Sequence, residues 1–434
     1  MNIKKSYFII FLLLLLSIGC FSASYAIFMN KSEQHGKLNI VVGNLNYSIE
    51  SDSLTDNKVT VDKYSIKEIK VRLSSLNDVS SKYELYYNMD SENKNIKVGY
   101  SSDTKDAVLG TIDANSSKTI TLLVNNLTDT TATITFGVVG GLVNNDLVLT
   151  KGNSLNQVVT KEKLLSNEIL VNNTLITNSP DLTTSSNNTN DESGLYKSTL
   201  TNTGSATYYF RGNVENNYVS FAGYTWRIVR INEDGTIRII MQDGINDNTS
   251  YVFNSNYDDY SYMYYTNSEV KTTLENWYQA NIGSNDSNSQ HIASGNYYCE
   301  QANAKYSTSA TSGSAEMIEY SSYTPSFKCA ADGNNKGVID ASIGLLTYDE
   351  IVYAGGYRSQ DNDNYYLYNS SINWWTVSPA GFSGTHTSVW YINASGRIHN
   401  RSVDYTYSLR PVLNLKTDTL ATGSGTSNNP YVIK

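Results

Sequence analysis

"NWWTVSPAG", residues 373–381, sets Trp374 beside Trp375, and the reading of that pair decides the fold of the second half of the chain. On an extended strand, neighbouring side chains point to opposite faces, so the two indoles cannot line one pocket without a bulge. One indole is expected in a core between a sheet and helices. The other faces a second layer or the loops, where a sugar-stacking platform is the rival reading. The strands that follow are "TSVWYIN", "GRIHN" and "SLRPVLNL", with Ala394, Ser395 and Gly396 turning between the first two.

Upstream, "YTWRIVRI", "NEDG" and "TIRIIMQ" (224–242) read as a hairpin, because Gly235 accepts positive φ at little steric cost. Two helices come next. In "SEVKTTLENWYQANIG" (268–283), Val270, Leu274, Trp277, Tyr278 and Ile282 fall near helical spacing, with Ser268 or Asn267 as the cap. In "LLTYDEIVYAGG" (345–356), Thr347 and Glu350 predict a capping box, Leu346 and Ile351 a hydrophobic staple, and Gly355-Gly356 the stop. "YRSQDNDNYYLYNSSI" (357–372) then runs as a loop.

This order of hairpin, two helices, long loop and C-terminal sheet resembles the C-type-lectin-like fold over 206–434. The likeness is closest to bacterial extracellular modules with Trp-Trp-x-x-Ser-Pro, an aromatic strand, Gly-Arg and Arg-Pro-Val-Leu. Here these are Trp374, Trp375, Ser378, Pro379, Trp390, Tyr391, Gly396, Arg397 and Arg410 to Leu413. The resemblance implies an α+β domain and leaves the ligand unnamed, since the fold carries binding, adhesion and some enzymes.

The first half has a different composition. All five tryptophans, and 27 of the 35 tyrosines, lie after residue 195. Before that, short runs alternate apolar and polar positions, as in "EIKVRL", where Ile69, Val71 and Leu73 oppose Lys70 and Arg72. Spaced strands of this kind predict an antiparallel β-sandwich over 27–172, closed by a short helix near "TKEKLLSNEIL" (160–170). "TNSPDLTTSSNNTNDESG" (177–194) reads as the middle of a polar linker, 173–205. The expected chain is therefore multidomain: an N-terminal antiparallel β-sandwich followed by an α+β C-type-lectin-like domain. "ASYAIFMNKSEQHGKLNIVVGNLNYSIE" (23–50) resembles the start of camelysin and TasA-type exported proteins, a resemblance that implies surface or matrix fibres and self-assembly. A metal-dependent peptidase activity sometimes attributed to that family finds no His-Glu-x-x-His helix here.

Residues 1–26 read as an export segment: Lys4 and Lys5, the apolar "FIIFLLLLLSIG", then the small-x-small "SYA" ending at Ala26. Phe8 to Phe28 is equally long enough to remain as a membrane anchor, and Cys20 in "LSIGC" raises lipidation; these alternatives stay open. Each places the bulk of the chain outside the cell, extracellular or at the cell surface. There Cys299 and Cys329 form an even pair, and a disulfide between them would close a loop of about 30 residues. Redox catalysis is the rival for that pair, without a Cys-x-x-Cys spacing to support it.

A net charge of −9 suggests no basic face and argues against nucleic-acid binding. His35, His291, His386 and His399 are scattered and give no metal-ligand spacing, so no metal and no cofactor are expected. "SQDNDN" (359–364) holds Asp361 and Asp363 but lacks a calcium loop's glycine and closing glutamate. No constellation specifies a reaction, so the chain is expected not to be an enzyme. The reading is a binding or adhesion protein for an extracellular glycan or protein, with Arg358, Asp361, Tyr365 and Tyr366 as ligand contacts. The tyrosine-rich "DDYSYMYYTN" (258–267) is a second contact candidate. A structural subunit of a surface matrix is one alternative. An enzyme like the formylglycine-generating oxidases of the lectin-like fold is another.

Overall fold

The computed structural model describes residues 38–42, 45–90, 93–104, 106–144, 147, 152–293, 297–299, 315–316, 324–329, 338–358 and 360–433. The export segment 1–26 and Cys20 lie outside them. Among the described residues no helix is long and apolar enough to cross a membrane. The chain divides into two compact units, Met1–Lys163 and Leu164–Lys434.

In the first unit, one sheet runs in the order Leu38–Val42, Leu45–Glu50, Ser65–Ser75, Ser117–Asn126, Ile96–Ser101 and Val158–Val159. The other runs Asn153–Ser154, Ser81–Met89, Ala132–Leu142 and Lys58–Val61, with Leu109–Ile112 also pairing Ser81–Met89. Buried residues of both sheets form a single core that includes Ile69, Val71, Leu73, Tyr83, Leu85, Ile134 and Val138. The period-2 pattern of "EIKVRL" holds: Ile69, Val71 and Leu73 are fully buried while Lys70 and Arg72 are exposed. Glycine has a defined use in "GVVGG": a Cβ on Gly140 would come within 2.1 Å of the Tyr47 ring, so a bare backbone is what lets that ring lie flat.

In the second unit, Tyr224–Ile231 is the central strand of a seven-stranded sheet, bonded to Thr207–Arg211, Tyr218–Phe221 and Ile237–Met241. The hairpin of 224–241 is formed as expected, with Gly235 at φ 84°. A six-stranded sheet carries Trp374–Phe382, Thr387–Ile392, Ile398–Ser402, Thr406–Ser408 and Ser250–Val252. Val412–Leu415 departs from the expected C-terminal grouping. It pairs with Ile237–Met241 in the first of these sheets.

Both predicted helices are present. Glu269–Tyr278 is capped by Ser268, whose side chain accepts from Lys271 N, and Tyr348–Ala354 carries the capping box. Leu346 and Ile351, the expected staple, are both fully buried.

Two boundaries move. The helix predicted near 160–170 is Leu165–Asn172, and its buried Leu165 and Ile169 join the second unit's core rather than closing the first. Residues 173–205 are not a linker. Gly194–Ser198 pairs antiparallel with Thr207–Arg211, and Ser185 is fully buried. Leu195 and Tyr196 are buried in the core with Ile176 and Leu182 packed beside them, and hydrogen bonds and the Arg211–Asp191 ion pair hold the polar run before them.

Candidate functional site

The 357–372 segment is sewn to the body of the second unit. Asn362 is fully buried, its Nδ2 donating to Ser186 Oγ and Gly355 O at 2.9 Å each. Tyr366 N donates to Gly212 O, and Tyr365 Oη donates to Gly396 O at 3.0 Å. These bonds draw Tyr365 and Tyr366 inward, to 2% exposure each. Burial pushes both phenols far up. As ligand contacts, Tyr365 and Tyr366 are therefore corrected to core residues. Arg358 and Asp361 stay at the surface: the Arg358 guanidinium lies 5.5 Å from the Trp390 ring centre, and Asp361 pairs with Arg397 at 3.4 Å. Asp363 accepts from Asn187 Nδ2.

Trp374 and Trp375 point to opposite faces, and both faces are covered. Each indole is fully buried. Trp374 packs under the Arg410 guanidinium at 4.8 Å. Trp375 meets Phe253 edge-on at 5.7 Å and donates from Nε1 to Tyr251 O at 3.0 Å. The sugar-stacking reading of the outer indole is thereby overturned.

A carboxylate sits at the centre of this core. Glu350 completes the capping box by accepting Thr347 N on Oε2 at 3.0 Å, while Oε1 faces Arg238 Nε at 2.8 Å and Arg230 Nε at 3.2 Å. Burial alone would raise the Glu350 carboxyl. The Arg238 and Arg230 guanidiniums and the Thr347 bond outweigh burial and hold it below the ordinary range. Phe327 lies over Arg230 at 4.7 Å, two residues from Cys329, which is bridged to Cys299 with a Cα separation of 5.1 Å. A carboxylate so fully partnered is a structural link, with no lone pair offered to a substrate proton.

The open surface lies elsewhere. A cleft of about 610 Å³ runs between residues 172–178, 192–195 and 213–216. Its walls are built locally. Ile176 N donates to Leu195 O, and Asn173 Nδ2 closes the end of the Leu165–Asn172 helix on Ile169 O at 2.8 Å. Asn213 N donates to Ser193 Oγ at 2.9 Å. Gly212 holds φ 80°, and a Cβ there would lie 2.4 Å from Ser193 Oγ, so only glycine makes this turn. Asn172, Asn178, Asn213 and Asn216 offer amides that both donate and accept, and Glu192 and Glu215 accept only. A smaller pocket of about 150 Å³ shares Glu192 and Ser193 and has Arg211 in its wall. That guanidinium is fully buried and spent on Asp191, Val352 O and Asp181 O.

This cleft uses part of the segment read from sequence as a linker. The signal that would have found it is the strand-like Leu195-Tyr196 following Gly194, paired with the Gly212-Asn213 turn. Among the described residues no group of three or more His, Cys, Asp or Glu is placed to hold a metal ion.

Residues 239–417 match a domain family described as a domain of unknown function, DUF6273. The match falls within the second unit and stops short of the cleft-lining residues 172–216. No curated protein and no solved structure matches the chain.

Proposed function

We propose that the chain is an exported, non-catalytic binding or adhesion protein of the cell surface. In this reading its second unit is a lectin-like head that takes an extracellular glycan or protein, and its first unit is a β-sandwich support. The observation that carries the reading is the open cleft of about 610 Å³ walled by asparagine amides and hydroxyls. Neutral groups that donate and accept suit hydroxyl-rich or peptide-backbone ligands, which present both kinds of partner. The absence of a lysine from its walls makes an anionic ligand the poorer fit.

Glycan and peptide arrays probed with the secreted chain test this. The triple variant Asn178→Ala, Asn213→Ala, Asn216→Ala is expected to bind roughly ten- to a hundredfold more weakly, from two or three lost hydrogen bonds. The double variant Arg358→Ala, Asp361→Ala serves as the comparison. Loss of binding in that variant alone would move the site to the 357–372 segment.

A further inference from the structure

A second surface on this unit is aromatic. The Tyr257 and His386 rings stack with centroids 4.9 Å apart and planes 13° from parallel, and both residues are exposed. Tyr260, equally exposed at 38%, meets Tyr264 edge-on at 6.5 Å. These rings are held from below. Met263 and Tyr265 of the same segment are fully buried. Thr387 N donates to Tyr257 O at 2.8 Å and Thr387 Oγ1 to Asp259 O at 2.6 Å. His386 is fixed by Thr385 Oγ1 at 3.0 Å from Nδ1, and by its own N–H donating to Ser383 Oγ at 3.0 Å.

Single exposed aromatics are common on protein surfaces, but a stacked pair locked by its backbone is already in the geometry a flat apolar ligand face requires. Two exposed acidic residues, Asp258 and Asp259, follow Tyr257 directly in the chain. The Ser261 hydroxyl and N–H hold the Asp259 carboxyl below the ordinary carboxylate range. Residues 253–267 and 382–388 contain no lysine or arginine.

We propose that this surface binds a neutral pyranose ring, the CH face on the Tyr257–His386 stack and the hydroxyls on Asp258 and Asp259. A sugar is the ligand whose apolar face and ring of donors are both satisfied here. Sulfated or uronic polymers are repelled by the carboxylates. The site rests on the reading of the second unit as a binding module but not on the cleft, which lies outside residues 239–417 while Tyr257 and His386 lie within them.

The full secreted chain titrated with cellohexaose, chitohexaose and mannohexaose tests the proposal, by calorimetry and saturation-transfer NMR. The expected result is saturation transfer to the ring CH protons of at least one hexasaccharide. Tyr257→Ala and His386→Ala should each weaken binding roughly tenfold, while Tyr257→Phe stays within about twofold because the ring face is kept. Unchanged thermal midpoints show that the alanine variants remain folded, and either one alone suffices if the other does not. Silence from all three sugars at millimolar concentration overturns the site, as does undiminished binding in both alanine variants. Loss of binding in the cleft's triple asparagine variant, with the aromatic variants unaffected, leaves the cleft standing and removes this site.

Discussion

Along Ser81–Met89 in the first unit, buried and partly open positions alternate, whereas Ile237–Met241 in the second is buried at every residue, as are the first seven of Trp374–Phe382. The polar residues buried with them differ as sharply. In the first unit they are Ser, Asn and Thr; in the second, Arg211, Arg227, Arg230, Arg238 and Arg410 join them. Two ways of closing a core follow. One-sided strands need little beyond apolar burial, since each strand keeps a wet face for its polar side chains. Strands covered on both faces leave backbone carbonyls inside, and the second unit answers these with guanidiniums. Arg410 spans Met241 O and Leu367 O, Arg227 reaches Val214 O, and Arg211 caps the end of the Tyr348–Ala354 helix on Val352 O.

The contrast breaks most visibly at Glu350. Glu350→Ala leaves Arg230 and Arg238 buried without their carboxylate and is expected to cost about 3–5 kcal/mol. Tryptophan emission under urea isolates the effect, because all five tryptophans lie in the second unit. Acid should mimic the variant. The folded Glu350 carboxyl is depressed below 4.5, so its stabilisation is complete above that value and is lost as pH falls through the folded pKa. Glu350→Gln should flatten that acid limb.

Removing the Cys299–Cys329 bridge with the double serine variant comes next, at roughly 3–4 kcal/mol from the freed loop, read by the same emission midpoint. The smallest effect belongs to the first unit. Tyr47→Phe removes the hydroxyl that donates to Lys82 O at 2.8 Å and also meets the Ser81 side chain, and should cost about 1–2 kcal/mol, seen as faster amide exchange along Ser81–Met89. A Tyr47 effect as large as that of Glu350 would erase the distinction between the two cores.

Much of the fold is legible in the residues. Alternation in "EIKVRL", the Asp234-Gly235 turn, the Ser268 cap, the Thr347/Glu350 box and the pairing of two cysteines all act over a few residues or through chemistry that composition reveals. The candidate site is legible only in part. Arg358 and Asp361 reach the surface, but Tyr365 and Tyr366 do not, since an amphipathic phenol is equally at home on either side of a surface. The cleft was hidden because "TNSPDLTTSSNNTNDESG" carries a single large apolar residue, Leu182, and the Arg211 guanidinium that ties it down through Asp191 and Asp181 O comes from a strand beyond it.

By itself the sequence determined the local devices: strand periods, caps, turns, and the concentration of aromatic rings in the second unit. Tertiary structure alone decided which polar residues went inside. A buried guanidinium or phenol is stable only where distant backbone carbonyls and a carboxylate such as Glu350 come to meet it, and that meeting is absent from any single stretch of the chain.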